Sequence, residues 1–156
     1  MSLAEQLNQD LLASMKARDE VRTGALRLLK TDLRNLEVAR TDRGKDSSPN
    51  PDFGKPIADE DVYRLIRKRL QMFQESADMF HKAGRAESAR REEAEAAILS
   101  AYLPRQLSRE EIAAHVQGLV AQRGKNFNQV IKQAMADLRD NADGKLINQV
   151  VREMTS

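Results

Sequence analysis

Residues 82–111 read KAGRAESARREEAEAAILSAYLPRQLSREE, and this segment decides the fold. Gly84 follows two residues typical of a helix end and suits the left-handed position that closes a helix. Residues 85–101 lack Gly and Pro and are rich in helix formers, which predicts a helix. Pro104 ends it. Ser108 and Glu111 form a capping box that begins the next helix, so we expect a hinge between two helical blocks.

A small-residue face is predicted on the helix within this segment. Ala86, Ala89, Glu93, Ala97 and Ala101 fall near one side of a helical wheel. Alanine side chains allow close approach between helix backbones. We therefore expect this face to receive a neighbouring helix or a partner protein.

Helical spacing of apolar residues predicts further helices before the segment. Ser2 with Glu5 forms a capping box for the first helix, and Asp19 is placed to cap a helix over 20–39. Asp59 is placed to cap a helix that runs to Lys82. Between them, residues 40–57 hold three of the four prolines and break the helical pattern, which predicts a flexible loop.

After the segment, three more helices are predicted, separated by Gly124 and by Asp143-Gly144-Lys145. No run alternates like a strand. The fold class is therefore predicted to be all-α, with a helical N-terminal domain of long helices over residues 1–103 and a small three-helix C-terminal domain over 107–156.

Composition excludes several classes of protein. The chain has 156 residues and no cysteine, which rules out disulfides and thiolate metal sites. No apolar stretch is long enough to span a membrane, and the N-terminus lacks a basic-then-apolar signal pattern. We expect a cytoplasmic location and no membrane partner. The net charge is only +2, which does not by itself require a nucleic-acid partner.

No catalytic, metal or cofactor site is predicted. His81 and His115 have no second histidine at ligand spacing, which favours ordinary structural roles. Glu92 and Glu95 share a helix face while Glu93 points elsewhere, which favours a solvated or ion-paired acidic face over acid–base catalysis. No phosphate-binding loop or nucleophile motif occurs.

Binding is the better candidate, because basic residues recur at helical spacing. They form two predicted stripes and one isolated position: Arg27, Lys30 and Arg34; Arg64, Arg67 and Lys68; and Lys145 at a helix start. Side by side, the stripes would follow a phosphate backbone. The alternatives are that they pair with the acidic face of helix 85–101 or keep the surface solvated. Few aromatic residues fall outside apolar stripes, which disfavours base-specific readout.

Asp32 and Arg69 are charges placed within apolar stripes. Their opposite signs predict an ion pair between the two long helices.

Several ordered motifs resemble the GatB/YqeY family, and in particular its small stand-alone YqeY-like proteins. The motifs are Met15–Asp19, Leu26–Lys30, Ala83-Gly84-Arg85, Glu93-Ala94-Glu95, Tyr102-Leu103-Pro104, Gln106-Leu107-Ser108 and Ala142–Lys145 with Asn148 and Val151. The loop over 40–57 is longer and richer in proline than the family pattern.

The resemblance implies a helical N-terminal block and a three-helix C-terminal block. It also implies a relation to the tail of the GatB subunit of tRNA-dependent amidotransferase. That tail contacts tRNA, and the amidation reaction takes place in another part of the amidotransferase complex. We therefore expect a non-catalytic module that binds tRNA, or a complex of an amidotransferase or aminoacyl-tRNA synthetase. The alternatives are a protein–protein adaptor and an amidotransferase-related carbon–nitrogen ligase activity with glutamine as amide donor.

Overall fold

The computed structural model describes residues 1–45 and 48–156, and over these residues the all-α class is confirmed. The described part contains seven helices: α1 Leu3–Lys16, α2 Glu20–Thr41, α3 Asp59–Lys82, α4 Ala86–Ser100, α5 Arg109–Arg123, α6 Phe127–Leu138 and α7 Gly144–Thr155. Internal contacts divide the chain into an N-terminal unit, Met1–Tyr102, and a C-terminal unit, Leu103–Ser156. None of the helices described is both long and apolar enough to cross a bilayer.

Most of the predicted helix caps are confirmed. The Ser2 and Ser108 hydroxyls accept from the backbone N–H groups of Glu5 and Glu111, and each glutamate accepts from its serine backbone. Asp19 accepts from the N–H of Arg22.

The prediction that Asp59 caps α3 is wrong. Ala58 occupies the cap position, and its N–H donates to Asp61. Asp59 instead lies in the first turn of α3 and accepts from the N–H of Leu3 in α1. A helix start rich in acidic residues offers several candidate caps, and here a tertiary contact with α1 engages Asp59.

The predicted loop over 40–57 begins two residues later than expected, because α2 continues through Thr41. Within it, Gly44–Lys45 pairs with Ser48–Pro49 as a two-residue antiparallel ladder. Residues 46 and 47 of the predicted loop lie outside the described residues. The flexibility of the loop stays a prediction.

The core of the N-terminal unit is aliphatic. Its buried apolar side chains are Leu7, Leu11, Ala25, Leu26, Leu29, Leu33, Val62, Ile66, Phe73, Ala77, Ala89 and Leu99. Burying this apolar surface is the main force that packs α1, α2, α3 and α4 together.

The predicted alanine face of α4 is only partly right. Ala89 is fully buried, but Ala86, Glu93, Ala97 and Ala101 are exposed. The buried face instead carries Leu99 and Glu95.

The C-terminal unit has its own apolar core. Its buried side chains are Ile112, Val116, Leu119, Val130, Ala134, Leu138, Ala142, Ile147, Val150 and Val151. Two hydrogen bonds tie its entry segment to the α6–α7 turn: Leu107 N–H donates to Asn141 O at 2.8 Å, and Asn141 Nδ2 donates to Arg105 O at 2.9 Å.

Two helices of the N-terminal unit end in the same left-handed turn. Gly84 after α3 has φ 74°, and Arg18 after α1 has φ 56°. In both turns the following N–H reaches back five residues, from Arg85 to Phe80 O and from Asp19 to Ser14 O. This hydrogen-bond pattern is the Schellman motif, which favours glycine at the left-handed residue.

Gly84→Ala should lower the free energy of unfolding by about 1 kcal/mol, because an L side chain is strained at this positive φ. An added Cβ would meet no atom within 4 Å, so the cost comes from the backbone alone. Arg18→Gly removes the same strain from the equivalent turn and should raise stability. Urea unfolding followed by circular dichroism measures both changes, and a shift of both variants in the same direction would contradict the assignment.

Candidate nucleic-acid interface

The first predicted stripe, Arg27, Lys30 and Arg34, lies on the exposed surface of α2. The opposite side of the helix is anchored by Leu29 and Leu33, which are buried. Within the described part of the chain, none of the three basic side chains has a hydrogen bond or an ion pair. From Arg27 to Arg34 the stripe extends about 10 Å along the helix axis. We call these three residues the α2 stripe.

The second predicted stripe, on α3, differs in character. Arg64 donates to Asp61 at 2.7 Å. Arg67 is half-buried and is engaged in an interaction within the protein. Lys68 is exposed. Two of its three members thus already have intramolecular partners.

A cleft of about 390 Å³ separates parts of α2 and α3. Its lining residues are Asp32, Asn35, Leu36, Leu65, Lys68, Arg69 and Met72. The predicted ion pair is confirmed there: Arg69 Nε and Nη2 donate to the two oxygens of Asp32 at 2.6 and 2.8 Å. Each side chain keeps 18% of its surface exposed. This bidentate pair raises the pKa of Arg69, chiefly through its hydrogen bonds to Asp32.

The α2 stripe and the cleft lie on different sides of α2. At about 100° per residue, Asp32 is about 140° around the helix from Arg27 and about 160° from Lys30 and Arg34. Lys68 therefore belongs to the cleft, and the α2 stripe forms a separate surface.

A buried ion pair at the end of α2 was missed by sequence reasoning. Arg40 Nη1 and Nη2 donate to the two oxygens of Asp61 at 3.0 and 2.7 Å, and Nη1 also donates to Pro56 O at 2.8 Å. The Arg40 hydrogen bonds, opposed by burial, hold the pKa of Asp61 below its usual value. Arg40 lies on the same helix face as the buried residues Leu29 and Leu33, by its spacing in the sequence. A cation on this apolar face was the sequence feature that could have predicted a buried ion pair.

Tyr102 closes the N-terminal unit through polar contacts to the first two helices. Its hydroxyl donates to Asp10 Oδ2 at 2.5 Å and accepts from Arg22 Nη2 at 3.3 Å. Burial, together with the hydrogen bond to Asp10, raises the pKa of Tyr102 to about 12. Leu103 and Pro104, the other two residues of the Tyr102-Leu103-Pro104 motif, are half-buried.

The family motif Ala142–Lys145 lies in the C-terminal unit, at the start of α7. Asp143 caps the helix by accepting from the N–H of Lys145 at 3.0 Å. Gly144 leaves room for Met135, whose Cε would lie 3.1 Å from a Cβ added at this position. Lys145 is exposed and Asn148 is half-buried. Lys145 is thus available to solvent, away from the α2 stripe in sequence.

The glutamates of α4 split as predicted, but one of them is not solvated. Glu95 is 8% exposed, and its Oε1 lies 3.4 Å from Arg91 Nε. Burial, and then the charge of Glu95, raise the pKa of Glu92. Glu93 lies outside this face and contacts His81 at 2.7 Å.

The histidines each contact one carboxylate within their own unit. His115 Nε2 lies 2.8 Å from Asp137 Oδ2, which joins α5 to α6. That contact is the largest cause of the lowered pKa of Asp137. The described residues contain no group of three or more His, Asp or Glu placed to hold a metal ion.

The chain matches a known family over almost all of its length. A family model described as Yqey-like protein matches residues 4–155, nearly the whole chain. A search of curated proteins finds no match.

Asp61→Asn should lower the free energy of unfolding by about 3 kcal/mol at pH 7, because the Arg40 guanidinium stays buried without its charged partner. The pKa of Asp61 is lower in the folded chain than its usual value. The stabilisation is therefore complete above about pH 4 and is lost as the pH falls through the folded-state pKa. Urea unfolding between pH 3 and pH 7 measures the difference.

The matched control is Asp52→Asn. Asp52 also pairs with a cation, Lys55, but its side chain is 53% exposed, and exposed pairs contribute little to stability. An Asp61 variant that unfolds at the same urea concentration as the Asp52 variant at pH 7 would contradict a stabilising role for the buried pair.

Proposed function

We propose that this chain, which belongs to the YqeY-like protein family, binds the phosphate backbone of tRNA through the α2 stripe, alone or within a tRNA-charging complex. The observation that carries the proposal is the α2 stripe itself. Arg27, Lys30 and Arg34 share one exposed helix face and have no intramolecular partner in the described part of the chain. Cations free of internal partners can release the counterions condensed on a nucleic acid, which drives binding.

The α2 stripe is better placed to contact phosphates than the basic side chains of α3, because its three cations have no ion-pair partner among the described residues. Arg64 and Arg69 are already bound to Asp61 and Asp32. A phosphate group would have to compete with these carboxylates. The α2 stripe needs no such exchange, so its full charge is available to a ligand.

The family relation supports RNA over other polyanions. The stand-alone YqeY-like proteins resemble the tail of the amidotransferase subunit that contacts tRNA. A helix with a regular row of cations suits a sugar–phosphate backbone and carries no sequence information by itself. Binding is therefore proposed to depend on salt concentration and to tolerate different RNA sequences.

An amidotransferase-related activity is a separate proposal, which an assay for ammonia release from glutamine would test.

A protein–protein adaptor is the second candidate, favoured by the cleft between α2 and α3. Leu36 and Leu65 line it as half-buried apolar side chains, and Met72 is 43% exposed beside them. Apolar side chains around a helix–helix groove suit the apolar face of a partner helix.

The triple variant Arg27→Gln/Lys30→Gln/Arg34→Gln should weaken tRNA binding at least tenfold at low salt, because three phosphate contacts are lost. The slope of log K against log salt should fall in magnitude by about 2 to 3, at roughly 0.7–0.9 per contact. Fluorescence anisotropy with labelled tRNA at several salt concentrations measures both quantities.

The control removes the same charge elsewhere in the N-terminal unit: Lys16→Gln/Lys82→Gln/Arg90→Gln, three exposed cations outside the α2 stripe. It should keep most of the affinity. Equal losses in the two triple variants would reduce the effect to net charge, and wild-type protein that does not bind tRNA at low salt would refute the proposed function.

The adaptor candidate predicts that Met72→Glu abolishes recovery of a stoichiometric protein partner from RNase-treated extract. The substitution puts a charge on the apolar rim of the cleft and leaves the α2 stripe intact. Unchanged recovery would remove the cleft as the docking surface. Loss of tRNA affinity in this variant would instead point to the cleft as part of the RNA site.

A further inference from the structure

Phe53 differs from every other aromatic residue of the chain. The sequence holds four phenylalanines, two tyrosines and no tryptophan, and all six aromatic residues are described. Phe53 is 46% exposed, whereas the others are buried or half-buried: Tyr63, Phe73, Phe80, Tyr102 and Phe127. Phe53 is thus one of the few aromatic residues outside the predicted apolar stripes, and it does not serve the core.

The backbone around Phe53 is fixed to the end of α2. Gly54 N–H donates to Arg40 O at 2.8 Å, and Phe53 N–H donates to Asn50 O at 3.3 Å. The Asn50 amide in turn donates to Ala39 O and Asp42 O at 2.9 and 2.7 Å, which caps the last turn of the helix. The ring is thus exposed on a segment held by hydrogen bonds.

A cation stacks against this exposed ring. The Arg43 guanidinium carbon lies 5.4 Å from the ring centroid of Phe53. Arginine–aromatic surfaces bind nucleobases, because a base offers a π-face to the ring while the guanidinium adds a cation–π contact and a positive charge.

We infer that Phe53 and Arg43 form a stacking platform for an unpaired base of the RNA strand whose phosphates lie along the α2 stripe. This inference rests on the proposed function and names the RNA it prefers, a strand with an unpaired end or loop. Arg40, which holds the platform, lies about 9 Å beyond Arg34 along the α2 axis. That axial distance corresponds to about three stacked nucleotides, at roughly 3.4 Å each.

The platform also explains why a long loop would carry function in this chain. The described part of the loop is bonded to α2 through Pro56 and Asn50, which contact Arg40 and Ala39, rather than through a buried aromatic side chain. An RNA base is favoured over an apolar protein partner because a cation contacts the ring. The segment that holds the ring is also bonded to the last turn of α2, the helix that carries the α2 stripe.

The experiment compares two labelled RNA hairpins with the same stem, each closed by a non-nucleotide linker so that neither has a loop of bases; one carries a single-stranded 3′ tail and the other is blunt-ended. Phe53→Leu should weaken binding of the tailed hairpin roughly tenfold, the loss of one base–aromatic stack, and leave the blunt hairpin unchanged. Phe53→Tyr keeps a ring and should bind like wild type. Arg43→Lys keeps the charge without the planar group and should give an intermediate loss on the tailed hairpin alone.

The outcomes separate the platform from the α2 stripe. Wild-type protein that binds both hairpins equally, with strong salt dependence, would overturn the platform and leave the proposed function standing. An equal loss on both hairpins in Phe53→Leu would also overturn it. Wild-type protein that binds neither hairpin would refute the proposed function and the platform together. A circular dichroism spectrum and urea midpoint like wild type establish that Phe53→Leu is folded. If it is not folded, Arg43→Lys provides the test through its expected loss on the tailed hairpin alone.

Discussion

The arrangement of α2, the loop and α3 depends on one buried ion pair, Arg40 with Asp61. The Arg40 guanidinium binds both carboxylate oxygens and the carbonyl of Pro56, and the Arg40 carbonyl accepts from Gly54. One side chain thus joins the end of α2, the end of the loop and the first turn of α3. Because a buried charge without its partner is costly, the pair holds the last turn of α2 against the first turn of α3.

Helix starts and one ion pair were predictable from sequence because their causes are local or unambiguous. Ser2, Asp19 and Ser108 cap helices through contacts three residues along the chain. Asp32 and Arg69 were predictable because each charge interrupts an apolar stripe, and a half-buried charge needs a counter-ion. The all-α class followed from the same helical periodicity and from the lack of alternating runs.

The packing face of α4 and the role of the loop were not predictable, because both depend on tertiary contacts. Alanine occurs on several sides of α4, so its spacing did not distinguish the buried Ala89 from the exposed Ala97. Arg40 was assigned to a loop, because the stretch rich in Gly, Pro, Ser and Asp was taken to begin at this residue. Phe53 gave no local signal for exposure, because its position follows from hydrogen bonds between distant loop residues and the last turn of α2.

Binding of tRNA along the α2 stripe is tested most directly by lysine footprinting of the intact protein with and without tRNA, by acetylation and mass spectrometry. Lys30 lies in the α2 stripe, whereas Lys16, Lys132 and Lys145 are exposed at other places in the chain. We expect tRNA to protect Lys30 strongly and to leave the other three lysines as reactive as in the free protein. Protection of Lys145 or Lys132 with full reactivity at Lys30 would contradict it.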